Sequence, residues 1–307
     1  MTPARTAWRK LRANPWGLAA FAVVMFFIAI AIGVEICSLN YRIHDVTPPW
    51  DVINDSACYQ PPSREWWLGT DYQGRSVLLR AMAGTATAAK VGLIAGLIAA
   101  IIGTTLGAIA GYRGGRFDDL VVWLYSTFAS MPTLLFILAF ALLVSREHLS
   151  PALAGVVGAI GTVLGAEPGM LAVYIAIGLT GWVTLCRAVR AETMKIRNLS
   201  YVSAAKVAGV TSGRIIVRHI LPNVFHLVII YFTLSFAGAV MLEVIVSYLG
   251  FGVQSAPSWG VMISDGQERL WRGIWWEITA ATGMMFFFVL ALNVLGDALR
   301  DALDPRL

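Results

Sequence analysis

Charge is what this chain has least of. Only 13% of its 307 residues are Asp, Glu, Lys or Arg, against 58% hydrophobic ones. That is too little charge to coat a globule of this size with polar surface, so the composition is that of a membrane protein. Catalytic signatures are missing as well. There is no phosphate-cradling GxxxxGK[ST] loop and no HExxH, GxSxG or paired CxxC arrangement, so the chain is not expected to be an enzyme or to hydrolyse ATP itself. The four histidines, His44, His148, His219 and His226, are dispersed, which argues against a metal site. The net charge of +5 is not laid out as a basic stripe with interleaved aromatics, so nucleic acid is not expected as a partner.

What the chain does have is apolar runs of the length that crosses hydrocarbon, about 20 residues each. Six are expected: 17–36, 91–111, 120–144, 170–186, 224–247 and 278–296. The first follows a basic start and exceeds the roughly 7–15 residues of a signal-peptide core, so it reads as an uncleaved span. The second carries Gly92, Gly96, Gly103, Gly107 and Gly111, a small-xxx-small spacing that lets helices approach closely and marks a bundle-interior helix. The third contains Pro132, whose missing N–H predicts a kink. The apolar run 153–165 is too short to span and reads as interfacial or re-entrant.

Six spans put both termini on the side of the loop between spans 4 and 5. That side holds fifteen of the 23 Lys and Arg residues, so it is expected to be cytoplasmic. Trp271, Trp275 and Trp276 fit an interfacial aromatic belt. Cys37 and Cys58 fall in the outward, Pro-rich segment 37–83; an oxidising compartment would permit a disulfide there if their Cβ atoms approach. Glu243 is the isolated acid of span 5. Two readings stay open for it: a pathway or gate residue facing the interior, or a side chain near the outer interface that pairs locally.

The longest polar interruption, 201–223, reads as two short helices. Tyr201, Ala204, Ala205 and Ala208 share a face of small residues, Gly209 breaks the helix, Thr211 or Ser212 caps the next, and Pro222 sits in a first turn.

Here the residues carry a resemblance. Ser203-Ala204-Ala205, three residues, Gly209, and then Leu221-Pro222 resemble the cytoplasmic coupling motif of binding-protein-dependent ABC importer permeases. Ser203 stands where that motif usually has an acid, and His219 where it has isoleucine. LGTDYQGRSVLLR at 68–80, SYLGFGVQSAPSWGVMISD at 247–265 and LALNVLGDALRDALDPRL at 290–307 resemble segments of the dipeptide, oligopeptide and nickel permeases. Only 145–169 has no counterpart and looks like an insertion.

The resemblance implies an all-α polytopic membrane protein with the six-helix type I ABC importer permease fold. It implies a cytoplasmic segment 1–16, a first helix 17–36, a periplasmic segment 37–83, a permease domain 84–300 with a coupling loop 187–222, and a cytoplasmic tail 301–307. Tyr201, Ser203, Ala204, Ala205, Lys206, Gly209, Leu221 and Pro222 would contact the ATPase. The implied partners are a second homologous permease subunit, two cytoplasmic ABC ATPases that use ATP and Mg, and a periplasmic or lipid-anchored solute-binding protein docking on 37–83 and 249–277. The chain itself would bind no cofactor, sit in the bacterial inner membrane and pass peptides or similar small solutes. An ion-coupled secondary transporter would show inverted repeats, and no convincing one is present; a transport-inactive scaffold subunit is the other alternative, weighed against by Glu243 and the span 2 glycines.

Overall fold

A computed structural model of the chain describes residues 9–143, 168–252 and 256–303, together with Gly155 and Ala159. Among the described residues the regular structure is helical, with a single β-bridge between Thr70 and Ser76. Helix α1 (Pro15–Ile43) starts where the Asn14 side chain accepts the N–H groups of Trp16 and Gly17, with Pro15 at the position that needs no donor. Helix α2 (Val77–Arg113) is capped by Ser76, which accepts from Leu79 N–H. Then come α3 (Gly115–Ser130), α4 (Thr133–Leu143), α5 (Pro168–Ile196) and the short α6 (Ser200–Val207). A last group comprises α7 (Ser212–Ile215), α8 (Leu221–Tyr248), α9 (Trp259–Gln267) and α10 (Trp276–Leu303).

Among the described residues, five helices are long and apolar enough to cross a membrane, and the pair α3 and α4 makes a sixth if counted as one broken span. The span expected at 120–144 with a kink at Pro132 is broken at that proline. The two helices meet at 94°. Met131, preceding Pro132, is held extended at φ −81°, ψ 135°, because the proline ring disfavours helical geometry in the residue before it, and the chain turns there instead of bending. The helices also outrun the apolar stretches: α1 continues to Ile43 and α2 begins at Val77.

The glycines of α2 do what their spacing implied. A Cβ on Gly103, Gly107 or Gly111 would lie 2.9, 2.7 or 2.6 Å from the backbone oxygens of Trp182, Cys186 and Arg190 on α5. The residue pairs advance in the same direction, so α2 and α5 run parallel with backbones nearly touching. Gly92 and Gly96 face Phe236 and Phe232 of the antiparallel α8. Parallel α2 and α5 require the intervening chain to return across the bundle, which agrees with the even count of spans. Gly17 at the start of α1 abuts Ala298 near the end of α10, so the beginning of α1 and the ends of α2, α5 and α10 share one end of the bundle, the basic end. The middle is filled by Phe27 stacked on Phe288 at 4.9 Å, with Trp259 and Phe236 edge-on to the cluster.

At the opposite end, Asp71 organises the segment between α1 and α2. Its carboxylate accepts from Gln73 N–H, Arg75 N–H, Arg75 Nε (2.7 Å) and the buried Arg80 Nη1 (3.0 Å). Trp276 donates to Thr70 O, so it is a buried strut, 8% exposed, and not a belt residue; Trp271 alone stands fully out, at 94%. Cys37 is exposed on α1, Cys58 is half-buried beyond the turn Asp55–Ala57, and both are free thiols in the structure.

The α2–α5 contact yields a first prediction. Gly107→Val should cost about 1–3 kcal/mol or more through overpacking, seen as lower thermal stability in detergent, whereas Gly33→Val, with open space around Gly33, should leave stability unchanged.

Candidate functional site

The basic end presents α6 as a knob on an apolar pad. Val202 is its buried anchor, packed in a cluster with Ala108 of α2, Leu185, Val189 and Ile196 of α5, and Ile215, Ile220 and Val224. Tyr201, Ser203, Ala204, Lys206 and Ala208 are exposed, and Val207 is 90% exposed. Ala205 is half-buried against the pad, so it turns partly away from the face on which the sequence placed it.

The knob is held by specific contacts. Lys206 Nζ lies 5.0 Å from the centre of the Tyr112 ring, a cation–π contact worth about 0.5–1 kcal/mol at an exposed site. Asn223 Nδ2 donates to Tyr201 OH at 3.1 Å and to His219 O at 2.7 Å. The helix ends in a Schellman motif: Gly209 N–H donates to Lys206 O and Val210 N–H to Ala205 O, with Gly209 at φ +78°. That left-handed position is nearly free for glycine and strained for other residues.

The second expected short helix is not separate. Thr211 precedes α7 without a side-chain cap, and α7 runs through a π-helical turn, Ile216–Ile220, into α8 as one rod from Ser212 to Tyr248. Pro222 has no N–H to offer Arg218 O, and its ring would clash with that carbonyl in an α-helix. The wider turn relieves this: Leu221 N–H reaches Ile216 O, five residues back. Leu221 packs on the pad and Pro222 is exposed.

Three contacts that sequence reading treated only as topology lock the same end. Arg190 grips Asp118 of α3 through two hydrogen bonds of 2.5 and 2.6 Å. Arg197 Nη1 donates to Gly111 O at 2.9 Å, and Arg187 lies 4.7 Å over the Tyr125 ring. The signal available beforehand was the acid pair after YRGGRF, opposite a span ending in arginines.

At the other end of the rod, Glu243 is 4% exposed and faces the interior. Its Oε1 accepts from Ser247 Oγ (2.7 Å) and Ser258 Oγ (2.8 Å), and Ser258 also accepts Gly260 N–H as the cap of α9. Glu243 therefore ties α8 to the start of α9. Beside it lies a very small cavity lined by Met170, Val173 and Tyr174, whose buried hydroxyl has no hydrogen-bond partner. Among the described residues no group of three or more His, Cys, Asp or Glu is placed to hold a metal ion.

A bundle of membrane-length helices with an exposed helical knob between the third and fourth of the five long ones is the architecture of a polytopic membrane protein. The comparisons make this specific. Residues 103–307 match the family described as binding-protein-dependent transport system inner membrane component, and residues 2–62 match the N-terminal TM domain of oligopeptide transport permease C. The chain belongs to the binding-protein-dependent transport system inner membrane component family and is a transport permease subunit. It is 33% identical over 304 residues to the dipeptide transport system permease protein DppC of Bacillus subtilis, covering 98% of this chain and 85% of the relative. It is 32% identical over 312 residues to the oligopeptide transport system permease protein OppC of Haemophilus influenzae, covering 98% and 89%. To the OppC of Mycobacterium tuberculosis it is 33% identical over 299 residues, covering 97% and 92%.

The Glu243 node gives a second prediction. Glu243→Leu removes the acceptor shared by the Ser247 and Ser258 hydroxyls and should destabilise the protein by about 1–3 kcal/mol, while Glu243→Gln, which keeps an acceptor oxygen, should lose less than half as much in a detergent melting experiment.

Proposed function

We propose that the chain is the permease subunit of an ATP-driven importer of peptides, and that α6 is the part gripped by a cytoplasmic ATPase. The observation that carries this reading is Val207, 90% exposed on a helix whose opposite face is seated by the buried Val202. A wholly exposed valine beside exposed alanines is what a partner's groove would cover. Tyr201, Ser203, Ala204, Lys206 and Gly209 complete that surface; Ala205, Leu221 and Pro222 shape the seat beneath it.

In this reading the basic end and both termini are cytoplasmic, in accord with the charge asymmetry. The segment 1–16, the loop 187–222 and the tail 301–307 lie in the cytoplasm, the segment between α1 and α2 in the periplasm. A second, related permease subunit completes the path, two ATPases bind ATP and Mg, and a binding protein delivers the solute. The relatives named for dipeptide and oligopeptide transport support peptides as the cargo. Closure of the ATPases would move α6, and the pad would pass that motion to α2, α5 and the α7–α8 rod. Near the far end of the rod, Glu243 then serves as a latch between α8 and α9.

The test is co-expression with the cognate ATPase pair in proteoliposomes. Val207→Asp should lower solute-dependent ATPase activity at least tenfold with the folded yield of the permease unchanged, and Gly209→Trp should abolish association. Full coupling by both variants would contradict the assignment.

A further inference from the structure

A cavity of about 450 Å³ lies at the end away from the knob, between the last turns of α1, the following loop, α2, Met170 and Pro257. Its volume falls within the range of small-molecule sites. Its walls carry both signs of charge. Glu35 of α1 and Lys90 of α2 pair at 2.6 Å across its floor. Arg42, Asp45 and Asp51 also line it, and among the described residues none of these three makes an ion pair or a side-chain hydrogen bond. The guanidinium that acts on Asp51, Arg75, is already held by Asp71 at 2.7 Å. Burial pushes the Asp51 carboxyl above its ordinary range, and Arg75 only partly offsets this. A cation brought to Asp51 would reverse that shift.

Two further features shape the cavity. Trp50 is buried and set edge-on to Tyr41 at 6.3 Å, giving an aromatic side wall. Asp45 occupies the left-handed position that closes α1, at φ +52°, with Val46 N–H bonded back to Tyr41 O. Aspartate, like asparagine, adopts this conformation more readily than most residues, and here it places an acid on the cavity wall.

We propose that this cavity binds a small zwitterion, its ammonium group between Asp45 and Asp51 and its anionic group at Arg42. Two sources share that chemistry: the termini of a free short peptide, and the headgroup of an amine-bearing phospholipid at the membrane surface. The site is independent of the coupling role of α6 and stands whether or not that role does.

The experiment uses the full-length chain in phosphatidylglycerol nanodiscs, which contain no ammonium headgroup, and titrates it calorimetrically with L-alanyl-L-alanine and with glycerophosphoethanolamine. At least one of the two should bind, with N-acetyl-dialanine and dialanine amide at least tenfold weaker than dialanine. Asp51→Asn and Arg42→Gln should each weaken the zwitterion at least tenfold without lowering the melting temperature. Tighter dialanine binding identifies a peptide site. Tighter headgroup binding, with phosphatidylethanolamine copurifying with the wild type and lost in Arg42→Gln, identifies a lipid site. Absence of binding by both probes, equal binding of the blocked peptides, or unchanged affinity in the two variants would overturn the proposal.

Discussion

The near-contact of the α2 and α5 backbones at Gly103, Gly107 and Gly111 is the constraint on which the rest of the architecture depends. In lipid the hydrophobic effect does not hold helices together, so association rests on close van der Waals packing and on polar contacts. The glycines supply the first by bringing α2 within reach of α5 carbonyls spaced four residues apart, those of Trp182, Cys186 and Arg190. The polar contacts then cluster where the packing ends: Arg197 on Gly111 O and Arg190 on Asp118. Because α2 and α5 are parallel, everything between them has to bring the chain back, and the sharp turn at Met131–Pro132 lies on that return.

The same pair carries much of the pad beneath α6. Val202 sits on a pad built jointly from α2, α5 and the α7–α8 rod, so the knob is seated on three long helices at once. The π-helical turn keeps the rod continuous past Pro222, and its far end is fastened to α9 through Glu243 and Ser258. The segment between α1 and α2 is fastened separately, by Asp71 to Arg75 and Arg80 and by Trp276 to Thr70. The knob end is thus anchored by apolar seating together with the Arg190 and Arg197 contacts, and the opposite end by buried hydrogen bonds.

The features legible in the sequence were those with a local or periodic cause. The glycine spacing of α2, the break at Gly209 and the helical character of the long apolar runs follow from side-chain size and backbone freedom along a single segment. Pro132 announced a kink but not a 94° break, because the angle is set by how α3 and α4 pack against α5. Glu243 could be singled out as an acid in an apolar run, yet its partner Ser258 lies across a loop, fifteen residues on. Trp276 looked like its neighbours Trp271 and Trp275 and proved to be a buried strut, since Thr70 is 206 residues away. The four resembling segments carried the family across nearly the whole chain. The cavity between α1 and α2 left no motif, because its charged residues come from separate elements.

The central claim is that α6 is the seat of an ATPase. The most direct measurement is a cross-link from Val207→Cys, in a chain whose Cys37, Cys58 and Cys186 are replaced by serine or alanine, with the assembled transporter in native membranes. The account predicts a short-arm cross-link to the ATPase subunit whose extent changes between ATP-bound and nucleotide-free states, and none from Trp271→Cys at the opposite end. Cross-linking from Trp271→Cys but not from Val207→Cys would contradict it.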